Sequence, residues 1–378
     1  MKNLIKICLL LVLICLLSNC NTNDKTNTSL DQNSDKLRIG SQKDELSIKF
    51  LGKIDDNALD KSDFFYWLSD FTVDDNDNVY VVDKGNYRVL LFNRDLKLIK
   101  SIGRQGQGPE EFIEPANIAL DQLGRFYVSD NSLLKILVFS NKGKEIDRIP
   151  ITPKMYGNFL IIDKDRYLWS DNTGTSLFYI TDKSGKNIKT VGTHTDFNDI
   201  SVNARLNHFF YCTDNDNNLY VTYKYQNLIR NYSSSGELIL NISRELNYSD
   251  EPIINERKAQ NRIYKDITVN QVSRSIAIDS NERIWVCTLN RQMKPEEYVS
   301  TSKSYGGPDA MLKSIEIRGD TEITETDMYV LEIFDKNGKI LSKIPIDHFC
   351  DEMIIKNNRL YISDALRAMC IYVYEIIE

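Results

Sequence analysis

Histidine is almost missing from this chain: three residues in 378, His194, His208 and His348. A His-rich metal centre is excluded, and no Ser-His-Asp set can be assembled from three scattered imidazoles. Gly-x-Ser-x-Gly is absent as well. Seven cysteines occur, but Cys212, Cys287, Cys350 and Cys370, the four beyond the N-terminal segment, follow no C-x-x-C spacing. That argues against zinc and leaves two readings, pairing in an oxidising compartment or burial as single apolar residues; burial is preferred. Long apolar runs are missing too. The run Ile7 to Leu17 has eleven uncharged residues, too short to span a bilayer comfortably. Stretches of helical period are scarce beyond the N-terminus, residues 250–265 being an exception, so a short helix is expected within 244–274. There is no excess of positive charge: 47 Lys and Arg stand against 54 Asp and Glu, a formal net charge of −7. Nucleic acid and electrostatic adhesion to anionic lipid are thereby disfavoured as partners.

What is present begins with the leader. Lys2 and Lys6 precede the apolar run, which has the length of a signal-peptide core. It ends in Leu17-Ser18-Asn19-Cys20, which resembles the bacterial lipobox, with Asn19 where Gly or Ala is usual. The resemblance implies cleavage after residue 19 and a lipid on Cys20, hence a protein exported and held in the cell envelope through its membrane anchor. The mature chain would then carry 45 basic and 54 acidic residues, net −9. Residues 20–36 are dominated by Asn, Thr, Asp and Ser and read as a flexible tether. The domain proper is expected over 37–378.

That domain is built on a repeat. Residues 70–83 (DFTVDDNDNVYVVD) and 117–130 (NIALDQLGRFYVSD) share an apolar strand, a turn of Asp, Asn or Gly, and an aromatic-centred strand. The pattern returns at 158–171, 210–223, 275–288 and 351–364, and a gapless alignment places Tyr80, Tyr127, Leu168, Tyr220, Trp285 and Tyr361 in one column. Each copy leads into a further apolar strand, so each unit supplies about four short strands. A lone sheet of this kind cannot bury both faces, and six packed radially can. The expectation is an all-β, six-bladed propeller of four-stranded antiparallel blades. The sixth copy has room for three strands only, so a strand from 37–54 is expected to close it, which removes the open edges. A polar insertion at 290–328 lies within blade five.

The stretch from Gly103 to Gly143 resembles an NHL repeat at Gly103, Gly106, Gly108, Phe112, Pro115, Asp121, Gly124, Tyr127, Val128, Asp130, Val138, Phe139 and Gly143. With the lipobox, the chain resembles the six-bladed propeller lipoproteins common in Bacteroidetes-type bacteria, which implies fold and location and little about activity. The glycine cluster itself, GRQGQGPEEF, has the order Gly-x-x-Gly-x-Gly and is followed by Glu110 and Glu111. It lacks the strand–helix context of a dinucleotide fingerprint and reads as a connector.

Propellers bind at the axial mouth, where inner strands begin. Ten residues before the aromatic column stand Asp70, Asn117, Asn158, Phe210, Ser275 and Asp351, five of them polar, and His208 precedes the inner strand of blade four. This resembles the propeller lactonases and hydrolases that hold one calcium ion on axial Asp, Asn and Glu, and the resemblance makes Asp70, Asn117, Asn158 and Asp351 candidate ligands. The competing and preferred reading is that these residues cap strand starts and satisfy loop amides. Three positions after the column, Asp83, Asp130, Asp171 and Asp364 recur and read as architecture. Arg88 and Lys135 read as snorkelling along blade edges. The function expected is a non-enzymatic binding scaffold for a small molecule or a protein; the alternative is a calcium-dependent propeller hydrolase, lactonase or lyase.

Overall fold

The computed structural model describes residues 46–378, apart from 153–154, 156, 172–173, 260–261 and 307–310. The leader, Cys20, the tether and residues 37–45 lie outside the described residues. Six four-stranded antiparallel sheets are formed. Blade one runs Leu68–Val73, Val79–Asp83, Arg88–Phe92 and Leu98–Ile102, paired in that order. The inner strands of the next five blades are Pro115–Leu120, Phe159–Ile161, Phe209–Thr213, Ser273–Ile278 and Glu352–Lys356. In blade six the outermost strand is Ser47–Ile54, antiparallel to Cys370–Ile377, so the N-terminal segment completes the last blade as expected.

The ring is held by its inter-blade cores. Each of six apolar clusters straddles one pair of neighbouring blades; Phe71, Val81 and Leu90 of blade one, for example, pack with Tyr361, Ile371 and Val373 of blade six. Every member of the aromatic column is buried in these seams. Burying such side chains supplies about 1.5–3 kcal/mol each, which is why the period carries large apolar residues at fixed offsets.

The turns follow one device. In blades one, two, four and five the Asp that opens the first hairpin turn accepts two turn amides on one oxygen: Asp74 from Asn76 and Asn78, Asp121 from Leu123 and Arg125, Asp214 from Asp216 and Asn218. Its other oxygen meets the polar tip of the column residue six positions on, as in Tyr127 Oη to Asp121 at 3.2 Å and Trp285 Nε1 to Asp279 at 2.8 Å. Asp279 also accepts from the amides of Asn281 and Arg283 and from Arg283 Nε. Asp279→Ala would strand the indole N–H of a fully buried Trp285, so a cost of about 3 kcal/mol is expected in urea denaturation. Asp163→Ala in blade three, where the column holds Leu168 and the carboxylate is partly exposed, is expected to cost about 1 kcal/mol. Equal costs would contradict the device.

The recurring Asp83, Asp130 and Asp364 also act as architecture. Asp130 accepts from Ile113 and Glu114 on one oxygen and from Ser132 and Leu133 on the other, clamping the incoming loop to the turn. Arg88 departs from its expected role. Instead of lying along a blade edge, it forks onto Asp63 at 2.8 Å and bonds Asp83 at 3.0 Å. The glycine cluster is a connector: the amide of Gly106 donates to Phe112 O and that of Gly108 to Glu111 Oε2, while Phe112 is fully buried. A Cβ on Gly106 would fall 2.0 Å from the Glu111 carboxylate.

Two segments differ from expectation. The helix expected in 244–274 is a β-hairpin, Ile253–Ala259 against Arg262–Thr268. Its charges are satisfied across strands rather than along a helix face: Glu256 opposes Lys265, and Arg257 lies over the ring of its partner Tyr264. A helix does form elsewhere, at Ile200–Leu206, capped by Asp199 and burying Val202 and Leu206. The insertion in blade five is a second hairpin, Ser300–Gly306 with Met311–Arg318, set between that blade's second and third strands. All four cysteines are free, and three of them, Cys287, Cys350 and Cys370, are buried. Among the described residues no helix is long and apolar enough to cross a membrane.

Candidate functional site

Inner strands start at one axial mouth, and the pairing register decides which side chains face it. Asp70 lies opposite Val82, Phe210 opposite Thr222 and Ser275 opposite Cys287, in each case two residues past the aromatic column. In blade six the equivalent is Glu352, opposite Ser363; Asp351 falls one place outside the ring. The reason is a shorter turn. Lys356 pairs with Arg359 across two residues, Asn357 and Asn358, at φ 45° and 62°, whereas Val73 and Val79 enclose five.

Bulges then re-aim residues at the rim. Blade one has a register shift between Leu68 and Asp70, blade two between Pro115 and Ile118, and blade five between Ser273 and Ser275. The last frees Arg274, whose Nη2 pairs with Asp351 and whose Nε donates to Cys350 O at 3.2 Å. Asp351 also accepts from the amide of Ala365 at 2.9 Å.

Most of the ring column is committed to neighbouring strands. Asp70 accepts from its own neighbour Phe71 and, across the seam, from Ile118 of blade two, both at 2.8 Å. Ser275 does the same for Met353 of blade six at 2.9 Å, and Asn117 Nδ2 donates to Asn158 Oδ1 at 2.8 Å. Phe210 packs into the seam between blades four and five. These bonds are the strand-start capping expected for the column.

Two features exceed capping. Asp70 and Glu352, from the first and sixth blades, share hydrogen-bonding contact near the axis. Desolvation raises Asp70 to about 6, opposed by the amide of Ile118 and by hydrogen bonds from Glu352, Phe71 and Asn117. Glu352 is held well above the ordinary carboxylate range by desolvation and by the charge of Asp70. Two carboxyls so placed hold protons to higher pH than either would alone. Tyr211, on the blade-four inner strand, faces the same pair and is likewise raised, chiefly by desolvation.

The second feature is cationic. Lys224 follows the second strand of blade four and donates its backbone N–H to His208 O at 2.8 Å. Its ammonium lies 5.2 Å from the centre of the Tyr225 ring, and the Arg205 guanidinium lies 5.7 Å from that centre. Desolvation and the charges of Arg274 and Arg205 lower Lys224 to about 8. The His208 ring stands 5.3 Å from Phe210 and is lowered to about 4 by desolvation, Lys224 and Arg274, so it is neutral at pH 7.

The calcium candidates do not form a cage. Asp351 is turned to Arg274, both oxygens of Asp70 serve amides, and Asn117 and Asn158 bond each other. Among the described residues no group of three or more His, Cys, Asp or Glu side chains is placed to hold a metal. Glu352, Arg274, Lys224 and Arg205 were missed in the sequence. Of these, Glu352 had a signal: KNNR is a two-residue Asn-Asn turn, which moves the register by one.

A family model described as a 6-bladed beta-propeller (DUF5128) matches residues 69–298. The chain belongs to this family. The matched range of the DUF5128 propeller holds Asp70, His208, Lys224 and Arg274, and stops before Glu352. Among solved structures, a member of the DUF4221 family from Bacteroides vulgatus superposes with a TM-score of 0.56 at 12% identity, covering 88% of this chain and 99% of that one. A Bacteroides fragilis protein, named for inferred export, gives a TM-score of 0.50 at 12% identity, covering 88% and 96%. At such identities the likeness concerns the fold alone. No curated protein matches the chain.

Proposed function

We propose that this protein is a ligand-binding propeller, held in the cell envelope by a lipid on Cys20, that captures its ligand at the mouth where the inner strands begin. The observation that supports it is the division of labour there. Asp70, Asn117, Asn158 and Ser275 engage neighbouring strands, while the side chains of Lys224, Arg205 and His208 make no hydrogen bond or salt bridge among the described residues, the two cations lying only against the ring of Tyr225. A rigid ring that positions such groups on loops is a binding architecture. The NHL-like repeat and the Asn-rich tether are consistent with a head presented away from the membrane. Anchoring is tested by metabolic labelling with an alkyne fatty acid in the native host. Label on the wild type and none on Cys20→Ser is expected; no label on the wild type would refute the anchor.

A second reading is hydrolase or lyase chemistry at the axis, favoured by the Asp70–Glu352 pair, since a pair holding one proton can donate it and take one back. In its calcium-dependent form it requires a rise in melting temperature with millimolar calcium, as for any ligand of the native state. No rise removes that form.

A further inference from the structure

We infer that the blade-four and blade-five side of the mouth binds a small organic anion, a carboxylate, sulfate or phosphate ester, through Arg205 and Lys224, with Arg274, itself paired with Asp351, standing behind them. This deepens the ligand-binding reading above and rests on it.

Three cations gather here on a chain whose net charge is −7. They come from three separate segments: Arg205 from the last turn of the helix Ile200–Leu206, Lys224 from the end of a blade-four strand, and Arg274 from the bulge in blade five. The one carboxylate acting on Lys224, that of Asp351, is already held by Arg274 and by the amide of Ala365. Among the described residues neither Lys224 nor Arg205 has a salt-bridge partner, and both instead flank the ring of Tyr225. Like charges brought together where Lys224 is partly desolvated are unfavourable until an anion enters, and they concentrate anions from solution. The ammonium and the guanidinium supply charge-assisted donors to an oxyanion. Tyr225, Phe210 and neutral His208 border the same space, and their ring surfaces suit a ligand with a carbon skeleton better than a bare inorganic ion.

The test is thermal melting and calorimetric titration of the mature chain at constant ionic strength, with citrate and inorganic phosphate as anionic probes and glucose as the neutral one. Citrate is expected to bind saturably and more tightly than phosphate, and glucose not to bind. Lys224→Met and Arg205→Ala each change a side chain outside the apolar seams and are each expected to weaken citrate about tenfold. Lys49→Met, on the outer strand of blade six, is expected to leave citrate affinity unchanged. Citrate affinity should also fall as pH rises from 7 to 9, as Lys224 loses its proton; the charged groups facing it are Arg205 from the helix, Arg274 from blade five and Asp351 from blade six, with His208 neutral throughout this range. Citrate binding that is absent, or that survives both substitutions, would overturn the anion site. If a panel of neutral mono- and disaccharides binds, and a Phe210→Ala variant does not bind it, the anion inference fails and the mouth-binding reading stands. If neither citrate, phosphate nor that panel binds, both fail.

Discussion

Deleting residues 46–54 is expected to unfold the domain or to turn it into an aggregating species. That segment is the outer strand of blade six, seven of whose residues pair with Cys370–Ile377. Its removal would leave the strand Cys370–Ile377, rich in Tyr, Val and Ile, without its partner along the whole of Ile371 to Ile377, and open edges of this kind recruit other chains. It would also empty the place of Ile54, fully buried in the seam between blades six and one. A milder variant separates the two effects. Ile54→Ala keeps the strand and is expected to cost about 2–5 kcal/mol, read as a lower urea midpoint with a cooperative transition. If the deletion melts as the parent does, the N-terminal strand does not close the ring.

The axial carboxyls predict a pH dependence opposite to that of an ordinary ion-paired acid. Asp70 stands at about 6 in the folded protein against an ordinary 3.8, and Glu352 stands higher still. The folded state therefore binds more protons than the unfolded one across this range. The stability linked to Asp70 is present below its unfolded value and is lost as pH rises through about 6, a loss on the order of 3 kcal/mol. The Glu352 contribution disappears at higher pH still. Glu352→Gln keeps a hydrogen-bonding partner for Asp70 and removes the second charge. It is expected to raise stability at pH 8 by about 1–3 kcal/mol and to flatten the decline of melting temperature between pH 6 and 9, with little change at pH 4. Asp70→Asn is a poorer probe, because its amide nitrogen would face one of the two N–H groups that Asp70 now accepts. A wild type and a Glu352→Gln variant with parallel pH profiles would show that the two carboxyls do not interact.

The fold was legible because its constraint is periodic. Tyr80, Tyr127, Leu168, Tyr220, Trp285 and Tyr361 each fill a seam, a turn Asp stands six residues before Tyr80, Tyr127, Tyr220 and Trp285 and binds in the same way, and a pattern repeated six times survives weak individual copies. The closing strand was legible by subtraction, since blade six lacked a fourth strand. What was not legible depends on single events. The hairpin Ile253–Ala259 with Arg262–Thr268 was mistaken for a helix because its charges recur at spacings that suit either structure, and the choice is made by cross-strand neighbours. At the mouth, Asp351 was placed one residue off because a gapless alignment cannot register a shortened turn. Arg274 faces the mouth through a bulge, and Lys224 and Arg205 meet only at Tyr225; such contacts between separate segments leave no periodic trace.

Asp70 belongs to the first blade and Glu352 to the sixth, so their contact reports both the closure of the ring and the character of its axis. Carboxyl-carbon NMR across pH 3 to 9 observes it directly. Two coupled titrations are predicted, one near pH 6 and a second raised from the ordinary carboxylate range, with a single titration near 6 remaining in Glu352→Gln. Two independent carboxyls titrating near pH 4, indifferent to each other's substitution, would contradict a closed ring with this pair at its mouth.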